Sequence, residues 1–372
     1  MEVYLDNAAS TIVKPEVLAR FNEVAENLYA NPSSVHTAGY EAGNCIYSVQ
    51  KTISEKLGCK SEDVYFTTGA TMSNQLLIQG FVKEHPNAMV ITTNVEHNDI
   101  MMLLENLDCY KHILRVNSEG LIDISELSEI LRYSSDEMNV PVLVSIQMAN
   151  SETGIIQDIH KICSTVKKFP NTFLHMDATQ YIPCYPINME CWGIDALSMS
   201  GQKIGGLKGS GLLVMRQMMR INTCEIIYGE QGFIGGTPAT PLIASLGTAF
   251  ELLDYNNDEL ANKRDFLLQG LEKLGGILVG TKENRLPNNI YIRFPGVNGM
   301  TLLNLLNDYE IYIGTGSACS SDSDKPSHVA LAYGLTEEEA FECVRFTLGD
   351  YTMEEELNYT LSTVETLLTL LR

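Results

Sequence analysis

The chain has 372 residues, with 25 lysines and arginines against 47 aspartates and glutamates, for a formal net charge of −22. That balance excludes an extended basic face for nucleic acid, while leaving open docking to a locally basic partner protein. Nine cysteines, at 45, 59, 109, 163, 184, 191, 224, 319 and 343, form no CxxC pair or zinc-type cluster; they read as reduced, mostly buried thiols, and no metal site is expected.

In chain order, helices are expected over 15–29, 71–84 and 159–169, and strands over 63–67, 89–92, 142–147, 172–176, 195–199 and 211–215. This alternation predicts an α/β fold with a mostly parallel sheet covered by helices. Ligands in such sheets sit at the carboxyl ends of strands. A helical region runs from Pro241 through Leu274, and its middle, 254–258, marks the best domain boundary. A second α/β unit follows, with strands over 289–293 and 311–314 and helices started by capping boxes at Thr336 with Glu339 and Thr352 with Glu355. Leu357, Leu361, Val364, Leu368 and Leu371 form the packing stripe of the last helix. The expected division is a large domain over 15–255 and a small one from 1–14 and 256–372. No apolar segment is long enough to span a membrane. The first motif begins at Tyr4 and leaves no room for a leader, so a cytoplasmic location is expected.

The most informative stretch runs Asp195-Ala196-Leu197-Ser198-Met199-Ser200-Gly201-Gln202-Lys203-Ile204-Gly205-Gly206. A lysine at the end of a buried strand can lose its proton and form a Schiff base with a carbonyl cofactor such as pyridoxal phosphate. The Ser200 hydroxyl and nearby backbone amides suit its phosphate. In His175-Met176-Asp177-Ala178-Thr179-Gln180, a buried Asp177 would keep the pyridine nitrogen protonated. Gln180 could donate to the phenolic oxygen. Alone, Asp177 reads more simply as a strand-end residue capping a helix; beside Lys203 the cofactor reading is preferred. Gly69-Ala70-Thr71, between a strand and a helix, offers free N–H groups and a positive dipole end, although an ordinary capped turn has the same composition.

With these motifs the chain resembles the cysteine desulfurases of the NifS/IscS type, within the class V aminotransferase-like group of fold-type I PLP enzymes. The likeness runs nearly end to end. It is carried by Tyr4-Leu5-Asp6-Asn7-Ala8-Ala9-Ser10, Asn31-Pro32-Ser33-Ser34-Val35-His36, Thr68-Gly69-Ala70-Thr71-Met72-Ser73-Asn74, Glu96-His97, Asn150-Ser151-Glu152-Thr153-Gly154, Gly235-Gly236-Thr237-Pro238, Gly316-Ser317-Ala318-Cys319-Ser320 and Val344-Arg345-Phe346-Thr347-Leu348-Gly349. The resemblance implies a large domain built on a mostly parallel seven-stranded sheet, and a smaller C-terminal α/β domain carrying the catalytic cysteine loop.

The resemblance also implies roles. Ala70, Thr71, Ser200 and Gln202 would hold the phosphate, joined by Thr237 from the partner of a homodimer. His97 would stack on the ring and shuttle protons, and Asn150 would join Gln180 at the phenolic oxygen and contact the substrate. Arg345, in an expected helix after Glu338 and Glu339, would grip the carboxylate of L-cysteine; the plainer reading is an intrahelical pair with Glu342. Cys319, in a small polar loop, would attack the substrate's sulfur, carry it as a persulfide and pass it to an acceptor serving iron–sulfur clusters or thiolation, leaving L-alanine. The chain departs from the family at Gln202, where a histidine is usual, and at Gln231 and Ile234, where arginines are usual; it also ends soon after the Arg345 motif. Two alternatives stay open: a related PLP lyase or aminotransferase acting on another amino acid such as selenocysteine, and a non-catalytic sulfur-relay scaffold.

Overall fold

In the computed structural model, which describes residues 1–219, 236–316 and 325–372, twelve short strands build three sheets. They are β1 (Val3–Tyr4), β2 (Val64–Thr67), β3 (Met89–Thr93), β4 (Tyr110–Leu114), β5 (Val142–Gln147), β6 (Thr172–Asp177), β7 (Ala196–Ser200), β8 (Gly211–Met215), β9 (Ile277–Leu278), β10 (Asn289–Arg293), β11 (Ile311–Tyr312) and β12 (Cys343–Thr347). The central sheet has seven strands in the order β2-β8-β7-β6-β5-β3-β4. All its pairs are parallel except the two made by β8, which is antiparallel to both β2 and β7. The mostly parallel seven-stranded sheet is therefore as expected. Its central strands are apolar on both faces, as strands covered by helices on either side must be. Ile91, Val144, Leu197 and Val214 enter one core, while Val90, Leu143, Ala196 and Leu213 enter another across the sheet.

Among the elements that lie outside the sequence expectations, two stand out. One is the helix Thr37–Leu57, closed by Gly58 in the left-handed conformation. The other is β4, an edge strand whose Tyr110, Lys111 and Ile113 are exposed, so that it lacks the apolar signal of its neighbours.

Beyond the helices Thr240–Glu251 and Asp258–Lys273, β9, β10 and β12 form a three-stranded antiparallel sheet. Alternate residues of β10 and β12 face opposite ways. Ile290, Ile292, Val344 and Phe346 join a core with Val3, Leu5, Leu267 and Leu357, whereas Tyr291 and Cys343 pack into the first core. Arg345 is registered opposite Tyr291. This corrects the helical expectation for Arg345: the helix started by the Thr336 capping box ends at Phe341, and Arg345 lies mid-strand in β12. The final helix, Glu354–Leu371, starts one residue later than expected, with Met353 at its N-cap and the Glu356 carboxylate accepting from the Met353 N–H.

The first residues tie these parts together. β1 pairs in parallel with β11. The Ala8 N–H donates to Thr347 Oγ1 at 2.9 Å, and the Thr11 N–H donates to the Gln202 carbonyl at 2.8 Å. A strap of about a turn's length thus joins the strand of Arg345 to the turn of Lys203.

Candidate active site

Strand ends and helix starts converge on a cavity of about 180 Å³ lined by Ala70, Thr71, His97, Asp177, Gln180, Ser200, Gln202, Lys203 and Arg345, together with Ala8 and Ala9 of the strap. Nearly all the residues singled out from sequence are thus brought to one place. Lys203 ends the single turn Gly201–Lys203 that follows β7 directly. Its ammonium donates to Ala8 O at 2.5 Å and Ala9 O at 2.6 Å. Both hydrogen bonds engage the amine, so Lys203 has to leave this rest to act as nucleophile or base.

Asp177 is the last residue of β6 and is buried. Its carboxylate accepts from Asn74 Nδ2 at 3.0 Å and from the Thr179 N–H at 2.9 Å. Burial pushes its pKa up, and those hydrogen bonds oppose the rise. The helix Ala70–Glu84 begins with no side-chain cap, and Ser200 Oγ accepts from the Ala70 N–H at 2.8 Å. Gly69 stands at φ 154 against that hydroxyl, so the backbone approaches Ser200 where a side chain would intrude.

His97 caps the helix Asn98–Glu105, and its Nδ1 lies 2.7 Å from Asp99 Oδ1. Burial pushes the Asp99 carboxyl up, but hydrogen bonding and charge from His97, with hydrogen bonds from Thr71 and the Ile100 N–H, outweigh it and hold the group below the ordinary range. A carboxylate on Nδ1 fixes the tautomer and orientation of the ring. Asp99 is a site residue that sequence reasoning missed; its signal was the position two residues after the histidine.

Arg345 is 1 % exposed. Its Nη2 donates to Asp6 Oδ1 at 2.7 Å and its Nη1 to the Ser151 carbonyl at 2.8 Å. No pair with Glu342 forms; that carboxylate lies against Arg293. Asp6 was quoted only as part of a motif, yet it is what turns the guanidinium.

The remaining expectations fare differently. Asn150 is buried but does not line the cavity: its Nδ2 donates to Val95 O at 2.9 Å, and its Oδ1 accepts from the N–H groups of Glu152 and Thr153 at 2.9 and 2.8 Å. It braces the loop before His97. Gln180 lines the cavity with one amide hydrogen committed to Ala8 O. Thr237 is exposed and lies on a separate, more apolar hollow beside Thr68 and Met72. Cys319, Gln231 and Ile234 lie outside the described residues.

Three buried polar atoms of residues lining this cavity, Thr179 Oγ1, Gln202 Oε1 and Arg345 Nε, have no hydrogen-bond partner among the described residues. Orphaned atoms at one cavity call for a polar occupant. A carboxylate fits the Arg345 Nε donor, whereas Gln202 Oε1 is an acceptor and calls for a donor, so Gln202 would meet an anion at the uncapped helix start through its Nε2. A ring nitrogen against Asp177 and a carbonyl carbon within reach of Lys203 complete a donor set that suits pyridoxal phosphate.

Comparison with known proteins agrees with this geometry. The family model for class-V aminotransferases matches residues 3–359. The chain is 36 % identical over 385 residues to cysteine desulfurase IscS of Dictyoglomus turgidum, covering 100 % of this chain and 95 % of that protein. Among solved structures, a NifS-like protein superposes with a TM-score of 0.91 at 31 % identity, with 100 % of both chains covered. SspA in complex with cysteine superposes with a TM-score of 0.81 at 28 % identity over 94 % of this chain and 100 % of that one.

Proposed function

Because this chain belongs to the class-V aminotransferase family and, within it, to the cysteine desulfurases of the IscS type, we propose that the Lys203 cavity holds pyridoxal 5'-phosphate and takes L-cysteine to L-alanine, with Cys319 receiving the sulfur. The observation that carries this reading is the convergence of Lys203, Asp177, His97 and Arg345 on one small cavity.

When bound, the cofactor supplies an exchangeable carbonyl carbon and a ring that stores an electron pair. The residues do the rest. The N–H groups at Ala70 and Thr71, the Ser200 hydroxyl and the Gln202 amide would bind phosphate at the helix start. Gln202 donates without charge where the family usually has histidine, so the helix dipole carries more of that binding. Asp177, held by Asn74 and Thr179, would keep the ring nitrogen protonated. Lys203 Nζ, once off Ala8 and Ala9, is the base that takes the Cα proton of bound cysteine and returns it. His97, with Asp99 on Nδ1, would cover the ring and relay protons through Nε2. Arg345, steadied by Asp6 and Ser151, orients the substrate carboxylate. The Cys319 thiolate would attack the substrate's sulfur: the S–S bond forms as the C–S bond breaks, the electron pair of that bond stays with the carbon, which takes up a proton to become the methyl group of alanine, and the persulfide passes to an acceptor of an iron–sulfur or thiolation route.

We read residues 15–255 as the cofactor-carrying unit and 1–14 with 256–372 as the unit that presents Arg345 and Cys319. A homodimer in which Thr237 reaches the partner's phosphate is supported by its exposure beside the apolar hollow. No described helix is long and apolar enough to cross a membrane; the cytoplasm is our proposed location.

The test is sulfide and alanine release from L-cysteine with a reductant, comparing wild type, Lys203→Ala and Cys319→Ala. Equal products lost in both variants support the reading. A colourless protein overturns the cofactor, and a coloured protein active only on selenocysteine overturns the substrate.

A further inference from the structure

Ser145 on β5, His175 and Asp177 on β6 and Ser198 on β7 share the sheet face that packs against the helix Ala70–Glu84, from which Asn74 comes. All five are buried, and Ser145, His175 and Ser198 have no exposed surface at all. Neighbouring positions on this face hold Leu143, Ala196 and Leu213. A row of polar groups in such a place costs desolvation unless every member is paired. The reading above uses only Asp177 and the Asn74 that holds it.

The pairing is continuous. Asn74 Nδ2 lies 3.0 Å from Asp177 Oδ2, Asn74 Oδ1 lies 2.5 Å from Ser198 Oγ, Ser198 Oγ lies 3.0 Å from His175 Nε2, and His175 Nδ1 lies 2.9 Å from Ser145 Oγ. Donor and acceptor chemistry sets its direction. A carboxylate only accepts, so the Asn74 amide nitrogen faces it. The Ser198 hydroxyl gives its one proton to Asn74 Oδ1 and accepts from His175. The His175 N–H therefore sits on Nε2. A neutral imidazole has a single N–H, so Nδ1 accepts from the Ser145 hydroxyl.

We propose that Ser145, His175, Ser198 and Asn74 form a one-way chain of hydrogen-bond donors ending on Asp177, with His175 a positioning residue that keeps this carboxylate anionic. The purpose of the chain rests on the reading of Asp177 as partner of the cofactor's ring nitrogen. Each bond polarises the next toward the carboxylate. Burial also holds His175 neutral, lowering its pKa to about 3. A proton on Asp177 Oδ2 aimed at Asn74 would collide with the amide hydrogen unless the Asn74 amide flipped, the Ser198 hydroxyl turned and the His175 proton moved to Nδ1, all together; a proton placed elsewhere on the carboxyl would leave the chain a weaker acceptor. The chain thereby offsets the burial that would otherwise protonate Asp177.

The experiment uses the full chain labelled with 15N-histidine, with and without added pyridoxal phosphate. The expected spectrum shows His175 protonated at Nε2 and bare at Nδ1 at neutral pH. The Asp177 carboxyl is then titrated by carbon-detected NMR in wild type, Ser198→Ala, His175→Leu and His175→Gln. His97, Asp99, Lys203 and Arg345, which share its cavity, and the nearby Glu96 are untouched in all four. Ser198→Ala and His175→Leu should raise the Asp177 titration by about one pH unit. His175→Gln, which can accept from Ser145 and donate to Ser198, should restore it. A proton on His175 Nδ1, or an Asp177 titration unmoved by Ser198→Ala, overturns the proposal. Should His175→Leu fail to fold, the wild-type tautomer and Ser198→Ala still decide. A chain that shows the tautomer and the shifts but takes up no pyridoxal phosphate refutes the cofactor reading while leaving the donor chain standing.

Discussion

Arg345→Lys is the sharpest test of how the substrate is held. The guanidinium gives Nη2 to Asp6 and Nη1 to Ser151 and keeps Nε without a partner among the described residues, so a carboxylate meets a fork already fixed in direction. Lysine preserves the charge but is a single point donor and cannot serve Asp6, Ser151 and a substrate at once. The substitution therefore removes at least one charge-assisted hydrogen bond to the substrate, worth about 1.5–3 kcal/mol. At about 1.4 kcal/mol per decade, that is roughly a ten- to hundredfold loss in affinity. The assay compares L-cysteine with cysteamine, which lacks the carboxylate, as ligands of wild type and variant. Cysteine should weaken by that factor while cysteamine stays within about threefold. An equal loss for both amines, or none for cysteine, would refute the assignment, because either result removes the carboxylate from the contact.

Three further outcomes follow from the geometry. Thr11→Val keeps the shape of the strap but deletes the hydroxyl that donates to Gln202 O at 2.9 Å and accepts from the Gly205 N–H at 2.8 Å; urea unfolding should show a loss of about 2–3 kcal/mol, with Thr11→Ser near wild type. The buried Glu96 carboxyl has its pKa raised to about 8 from 4.5, chiefly by burial. Between those values the folded chain holds a proton that the unfolded chain has released, so stability should fall as pH rises through that window. Glu96→Gln should flatten this slope, and parallel wild-type and variant curves would contradict the burial argument. Gly211→Ala would set a methyl 2.5 Å from Gly69 Cα and 2.7 Å from Met199 O; thermal unfolding should drop sharply and added pyridoxal phosphate should bind poorly, since the collision displaces the helix start at Ala70.

Much of this was legible in the chain because the strands that carry the site are buried on both faces. The strands Val142–Gln147, Gly211–Met215 and Asn289–Arg293 fall where apolar runs predict them. β4 escaped because an edge strand with exposed Lys111 and Ile113 has no two-sided apolar signal. Arg345 was misplaced because the acidic run after Thr336 looks like a continuing helix, while the β-branched and aromatic Val344, Phe346 and Thr347 that make it a strand follow too closely to be weighed separately. Asp6 and Asp99 escaped as site residues for a different reason. Each acts by turning another side chain, and such a role depends on contacts made after folding rather than on any local pattern.

The strap has a consequence for synthesis. Asp6 and Arg345 are 339 positions apart, and Ala8 meets Thr347 across the same gap. Translation at about 5–20 residues per second leaves Asp6 and the Ala8 N–H without these partners for roughly 15–70 s. During that interval the carbonyls of Ala8 and Ala9 already have Lys203 to hold once its turn has emerged, but the strand that presents Arg345 does not yet exist. The lysine end of the cavity can therefore assemble on the ribosome, whereas the carboxylate-binding end waits for nearly the whole chain, and a nascent or C-terminally truncated product would have a lysine pocket unable to orient an amino acid.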